Sequence, residues 1–173
     1  MVNKFFILLL AIVSSAFADE KPNALNTTQA VSVCFSPDEA CAERLSKFID
    51  SAQKSVDIAI YDLNEEQIVH QLLVKSKKIP VRVVVDRRQS KGSHSAVPLL
   101  LKAGVKLKFG HQRGIMHNKF TIVDGVRVET GSFNYTHHAT TANQENQIYF
   151  SAPEAVEKYK TRFERIWADA KEK

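Results

Sequence analysis

The chain has 173 residues, 44% hydrophobic and 25% charged, with 6 glycines and 5 prolines, an ordinary globular balance that excludes collagen-like and low-complexity chains. Lys and Arg number 24 against 19 Asp and Glu, a net charge of +5, which suits an anionic partner such as nucleic acid or phospholipid headgroups without choosing between them. Two cysteines are too few for a disulfide-dense scaffold or a four-cysteine zinc site.

Lys4 precedes an unbroken apolar stretch over residues 5–13, and Ser14, Ser15, Ala16, Phe17 and Ala18 then end in an A-x-A pattern ahead of Asp19 and Glu20. That three-part order predicts a secretory signal peptide over residues 1–18. Its apolar stretch is well short of the roughly 20 residues of a membrane-spanning helix; the alternative is an uncleaved N-terminal anchor. No other segment is apolar enough to span, so the mature chain is expected to carry no transmembrane segment and to be exported, periplasmic or secreted. In an oxidising compartment Cys34 and Cys41 could pair and close a short loop. Two unpaired thiols, one of them buried, stand beside that reading, because seven residues across a strand–helix corner do not guarantee bridging geometry.

Residues 19–30 are polar and predict a loose N-terminal arm. Residues 31–35 alternate as a strand, and Ser36-Pro37-Asp38-Glu39 reads as a helix start, with Ser36 capping and Pro37 in the first turn. Ala40, Leu45, Phe48 and Ile49 then share a helix face. A strand at 56–61, a helix at 65–77 with Ile68, Leu72 and Leu73 inward, and a β-branched strand at 81–85 follow. A helix at 93–103 stops at Gly104 and leads into a strand at 105–109. This β-α-β-α-β-α-β order predicts an α/β fold, a mixed, mainly parallel sheet flanked by helices on both faces, in one domain over residues 31–170. Beyond Gly110 the rhythm changes. Strands at 119–123 and 126–130 flank Asp124-Gly125, a two-residue hairpin signal. A polar loop of about fifteen residues, a length that points to function, precedes a short strand at 147–150 and an amphipathic helix at 153–168.

His117 and Lys119, two apart on a strand, point to one face, and the turn Gly131-Ser132-Phe133-Asn134 brings a hydroxyl and an amide near the same end of the sheet. One His, one Lys, one Ser and one Asn suit a phosphate site: Lys supplies charge, Ser and Asn neutral donors, and His a nucleophile or proton carrier. Asp124, before Gly125, is what any hairpin turn prefers. Glu145 could be a solvated loop carboxylate. His137 and His138, being adjacent, offer poor joint metal geometry and read as substrate-facing or incidental, and His70, His94 and His111 lack clustering. No spacing matches a metal site.

His117-x-Lys119 with Asp124 five residues on, then Gly131-Ser132-x-Asn134, resembles the HKD signature of the phospholipase D superfamily. Gly131 to Tyr135 with Asn143-x-Glu145-Asn146 is most similar to its small secreted bacterial endonucleases. The resemblance implies a phospholipase D-like fold, catalytic roles for His117, Lys119 and Glu145, a mainly structural Asp124, and phosphate binding by Lys119, Ser132 and Asn134. It also implies that Glu145 hydrogen-bonds the far nitrogen of His117 and fixes its tautomer. In the superfamily two motifs supply two histidines, one nucleophile and one acid. This chain has one, so the resemblance implies a homodimer with a composite active site on a two-fold axis, a phosphohistidine intermediate, and neither metal nor cofactor.

The expected activity is nonspecific endonucleolytic hydrolysis of DNA, with RNA as a further substrate, supported by the basic charge and by Lys106, Lys108, Arg113 and Arg127 near the motif in sequence. The alternatives are a phospholipase D acting on phosphatidylcholine-like lipids, for which no amphipathic segment is left over after the core helices, and an inactive nucleic-acid-binding module.

Overall fold

Apolar residues at successive positions of central strands bury both faces of a sheet, and that pattern governs the architecture of the computed structural model, which describes residues 31–110 and 114–172. The expected signal segment 1–18, the arm 19–30, His111 and Arg113 lie outside the described residues. The elements run β1 (Ser32–Ser36), α1 (Cys41–Asp50), β2 (Val56–Ile60), α2 (Glu66–Ser76) and β3 (Val81–Asp86). A single 3-10 turn (Gln89–Lys91) leads to α3 (Val97–Lys102) and β4 (Lys106–Gly110). The chain continues through β5 (Lys119–Val123), β6 (Arg127–Gly131), α4 (His137–Thr141), β7 (Glu145–Phe150) and α5 (Pro153–Asp169).

One seven-stranded sheet takes the order β1-β7-β6-β5-β2-β3-β4. On one face Ile58, Ile60, Val83 and Val85 pack with Leu45 and Ile49 of α1, Ile68 and Leu72 of α2 and Leu100 of α3. On the other, Ala59, Val84, Phe120, Ile122 and Val128 pack under Phe163 and Ile166 of α5. β2 and β3 are therefore covered on both sides, which is why Ile58-Ala59-Ile60 and Val83-Val84-Val85 are apolar at successive positions. Each such side chain contributes about 1.5–3 kcal/mol by leaving water.

The expected mixed sheet with helices on both faces is present, but its parallel part is confined to β2–β3–β4. The other four pairings are antiparallel, so "mainly parallel" does not hold. Hydrophobic pattern identifies strands but not partners, and β1 pairs with β7 at the far end of the chain.

Local corrections follow from the same limit. Ser36 does not cap a helix: it ends β1, and its hydroxyl donates to the Ala139 carbonyl at 2.8 Å. α1 begins at Cys41 instead. The polar loop holds α4, capped by Thr136, whose hydroxyl accepts from Ala139 N–H at 3.2 Å, and Glu145 is the first residue of β7. The hairpin connection is one residue longer than expected, with Val123 opposite Arg127. Asp124 and Gly125 both take positive φ there, 56° and 68°, the left-handed backbone that this pair tolerates best. Cys34 and Cys41, both buried, form a disulfide with 5.8 Å between Cα atoms. Among the described residues no helix is long and apolar enough to cross a membrane.

Candidate active site

Strand direction gathers the site. The carboxyl ends of β2, β3 and β4 lie at the same edge as the start of β5, because Ile60 sits opposite Lys119 and Asp86 opposite Gly110. The end of β6 and the start of β7 share that edge, with Gly131 opposite Gln147. Ligand sites of open α/β sheets form beyond the carboxyl ends of the parallel strands.

His117 precedes β5 and is exposed, whereas Lys119 is buried to 8% exposure. The Lys119 Nζ lies 3.4 Å from Nδ1 and 3.3 Å from Nε2 of His117 and donates to the His117 carbonyl at 3.2 Å. Burial pushes the Lys119 ammonium below its ordinary range, and the charge of Glu145 partly offsets this. The imidazole packs edge-on against Tyr61, centroids 4.6 Å apart, and the Lys119 Nζ lies 5.3 Å from the same ring. Tyr61 Oη accepts from Gln89 Nε2 at 2.7 Å. Asp86, 1% exposed, closes this side. Its Oδ2 accepts from Met116 N–H at 2.9 Å and its Oδ1 from Arg88 and Gln89 N–H at 2.8 and 3.2 Å. Hydrogen bonds to a charged group contribute about 1.5–3 kcal/mol each.

The turn after β6 supplies the remaining groups. Gly131 has no alternative: a Cβ there would meet the Asn146 carbonyl oxygen at 2.0 Å. That contact lets Ser132 N–H donate to the same carbonyl at 3.1 Å, while Ser132 Oγ accepts from Asn146 N–H and Nδ2 at 3.1 and 3.2 Å. Asn134 Oδ1, an acceptor, is buried with no hydrogen-bond partner among the described residues, a costly state for a polar atom, and the group this amide could offer a phosphate oxygen is its Nδ2 donor. Glu145 Oε1 accepts from Asn143 Nδ2 at 3.0 Å. The expected hydrogen bond from Glu145 to His117 is not among the bonds of the described chain.

Asp124 does not join the site. β5 carries it to the opposite edge of the sheet, where its carboxylate accepts from the N–H groups of Gln53, Lys54 and Ser55 at 2.7–3.1 Å. Burial opposes its charge, but these donors and Arg127 outweigh it and hold the carboxyl below its ordinary range. Lys106 and Arg127 open β4 and β6 at that same far edge. Lys108 turns to the α5 face, its Nζ 4.8 Å from the Trp167 ring. Among the described residues, Arg87, Arg88 and Lys91 are exposed on the β3–α3 connection, which leaves the sheet at the edge that carries the site.

Sequence reasoning missed Tyr61, which packs on His117 only through the fold, and Asp86 and Gln89, which reach it through Met116 and Tyr61. The signal was Asp86 itself, a carboxylate ending a buried β-branched strand. His94, unclustered in sequence, joins Asp62, Asn64, Thr136, His137 and His138 around an open depression of about 450 Å³. Among the described residues no group of three or more His, Cys, Asp or Glu is arranged to hold a metal ion.

Fold and site together define a class. The chain belongs to the phospholipase D-like family: it matches "Cardiolipin synthase, PLD-like domain" over residues 45–167. It is similar in structure to Nuc, a phospholipase D family member from Salmonella typhimurium, at TM-score 0.78 and 30% identity, covering 83% of this chain and 97% of that one. NucT from Helicobacter pylori is similar at TM-score 0.75 and 26% identity, covering 82% and 98%. In sequence it is similar to a phospholipase D of Rickettsia conorii, 33% identical over 130 residues, 75% of this chain and 65% of that protein. It is also 33% identical over 132 residues to a mitochondrial cardiolipin hydrolase of Xenopus tropicalis, 76% of this chain and 63% of that protein. The chain thus spans somewhat under two thirds of the length of these two relatives.

Proposed function

We propose that the chain is an exported phosphodiesterase that cuts DNA, and RNA with it, without sequence preference, metal or cofactor, and works as a homodimer. The observation that carries the reading is the meeting of an imidazole and an ammonium 3.3 Å apart beside a Gly-Ser-x-Asn turn at one edge of one sheet. Lys119, Ser132 and Asn134 would hold the non-bridging oxygens of a phosphodiester and stabilise the charge that develops on them. A ring nitrogen of His117 attacks phosphorus and forms an N–P bond as the P–O bond to the leaving oxygen breaks. That oxygen takes its proton from the His117 of a second copy across the two-fold axis. The second imidazole then removes a proton from water, which attacks phosphorus and breaks the N–P bond. Glu145 is proposed to hold the far nitrogen of His117 once substrate and second copy are in place, and Asp124 to act structurally from the far edge.

Arg87, Arg88 and Lys91 at the site edge support a polyanionic substrate contacted through its backbone. A phospholipase reading has its own support in relatives named phospholipase D and cardiolipin hydrolase. Leu99 at 50%, Leu101 at 36% and Ile115 at 44% are apolar residues left exposed that a bilayer could contact. The test is to incubate the purified protein with plasmid DNA and with phosphatidylcholine or cardiolipin vesicles, all in excess EDTA. Plasmid cleavage is expected; headgroup release with intact plasmid would replace the nuclease reading by the lipase one.

A further inference from the structure

We infer that Tyr61 and Asp86 are positioning residues for His117, linked through Gln89, and that this linkage sets the plane of the imidazole. The inference rests on reading His117 as the group that attacks phosphorus. His117 lies just outside β5, which begins at Lys119, so the ladder of the sheet does not hold it, and its side chain is exposed. An exposed imidazole samples several rotamers unless something restrains it, and in-line attack needs the ring nitrogen held close to one direction.

Two restraints are present, and one carboxylate serves both. On the backbone side, Asp86 Oδ2 takes the N–H of Met116, the residue immediately before His117. The Met116 side chain is locked in turn against Gly110 and Val84, where any Cβ on Gly110 would fall 2.7 Å from Met116 Cγ. On the ring side, Tyr61 meets the imidazole at an interplanar angle of 65°, the edge-to-face arrangement that aromatic pairs favour. Tyr61 is held by Gln89 Nε2 at its hydroxyl, and Gln89 N–H and Arg88 N–H are bound by Asp86 Oδ1. Asp86 therefore ties the peptide entering His117 to the turn that steadies the ring packed on it. Tyr61 also neighbours the Lys119 Nζ, so a displaced ring would disturb both partners of the His117–Lys119 pair.

The test uses the full chain with Tyr61→Leu, Tyr61→Phe and Gln89→Ala, the last a partly exposed side chain on a surface turn that leaves the core untouched. His117 is followed by NMR of its ring nitrogens across pH, its resonances assigned by their loss in His117→Ala. Tyr61→Leu is expected to change the His117 titration curve and lower kcat by about 10- to 100-fold, with KM within about threefold of wild type. Tyr61→Phe, which keeps the ring but removes its hydroxyl, and Gln89→Ala, which keeps the hydroxyl but removes its donor, should fall between. Wild-type titration of His117 and kcat within twofold in both Tyr61→Leu and Gln89→Ala would overturn the inference. If Tyr61→Leu does not fold, Gln89→Ala decides alone. Activity retained in His117→Ala would instead defeat the nucleophile reading, while the ring titration would still report on the positioning.

Discussion

Lys119 and Glu129 share one face of the sheet, and burial drives both towards neutrality with opposite consequences. For the phosphate-binding role proposed for Lys119 the charged form is the useful one, so its lowered range predicts that binding is lost on the alkaline side earlier than for a free lysine. Glu129, fully buried, is pushed up to about 8 by desolvation, with hydrogen bonds from Tyr135 and Thr121 working the other way. Tyr135 Oη donates to Glu129 Oε2 at 2.6 Å, while Glu129 Oε1 has no partner among the described residues. The folded protein therefore binds this proton more tightly than the unfolded chain between the ordinary value of 4.5 and about 8. Stability falls across that window as pH rises, by at most about 1.4 kcal/mol per pH unit. Thermal unfolding measured from pH 5 to 9 should show this decline in the wild type and a flatter profile in Glu129→Gln, which keeps an acceptor for Tyr135 and cannot ionise. Parallel profiles would mean Glu129 does not titrate in this range. Glu129 was not legible in the sequence, because an acid between Val128 and Thr130 looks like the solvent-facing half of an alternating strand.

At the scale of elements, the hairpin between β5 and β6 separates two sets of polar side chains. Its open edge carries His117, Lys119 and Asn134, while its turn carries Asp124, which ties the hairpin to the α1–β2 connection through the N–H groups of Gln53, Lys54 and Ser55. Asp124→Ala is expected to lower stability by about 1–3 kcal/mol through loss of those bonds, with kcat nearly unchanged. The low range of the Asp124 carboxyl means this contribution is present at neutral pH and lost as pH falls through that range. Denaturant melts alongside steady-state kinetics check both halves, and a large loss of kcat at full stability would return Asp124 to the site. The strands and the longer helices were legible because period-2 and period-3.6 patterns follow burial directly, whereas the five-residue α4 was too short and polar to show either period. His117 and Lys119 were legible as a pair because alternation fixes their face. Partners were not: Lys106 and Arg127 are near the motif in sequence, yet strand direction carries them to the other edge. The Cys34–Cys41 bond likewise depended on a corner that spacing alone leaves open.

For the whole molecule, the proposed export and the net charge give two further expectations. Mass spectrometry of protein recovered from an exporting host should find the mature N terminus near Asp19; a chain retaining residues 1–18 would favour the anchor instead. Nucleic-acid binding should weaken steeply between low and moderate salt, because each phosphate neutralised by Lys or Arg releases counterions. A flat salt dependence in a filter-binding assay would move weight to the lipid substrate.

The central claim is that one chain holds half a catalytic centre, and subunit exchange tests it directly. Wild-type chains are mixed with an equal amount of His117→Ala chains and allowed to exchange until heterodimers are verified by mass. On the proposed dimer, a heterodimer cleft would hold a single His117. Without the acid the leaving alkoxide departs unprotonated, a loss of about two to four decades in rate, and without the nucleophile no covalent intermediate forms. Only wild-type homodimers then turn over, so the mixture should retain about a quarter of the rate of an all-wild-type sample at equal total chain concentration. Retention of half the rate would mean that each chain works alone, which contradicts the composite site.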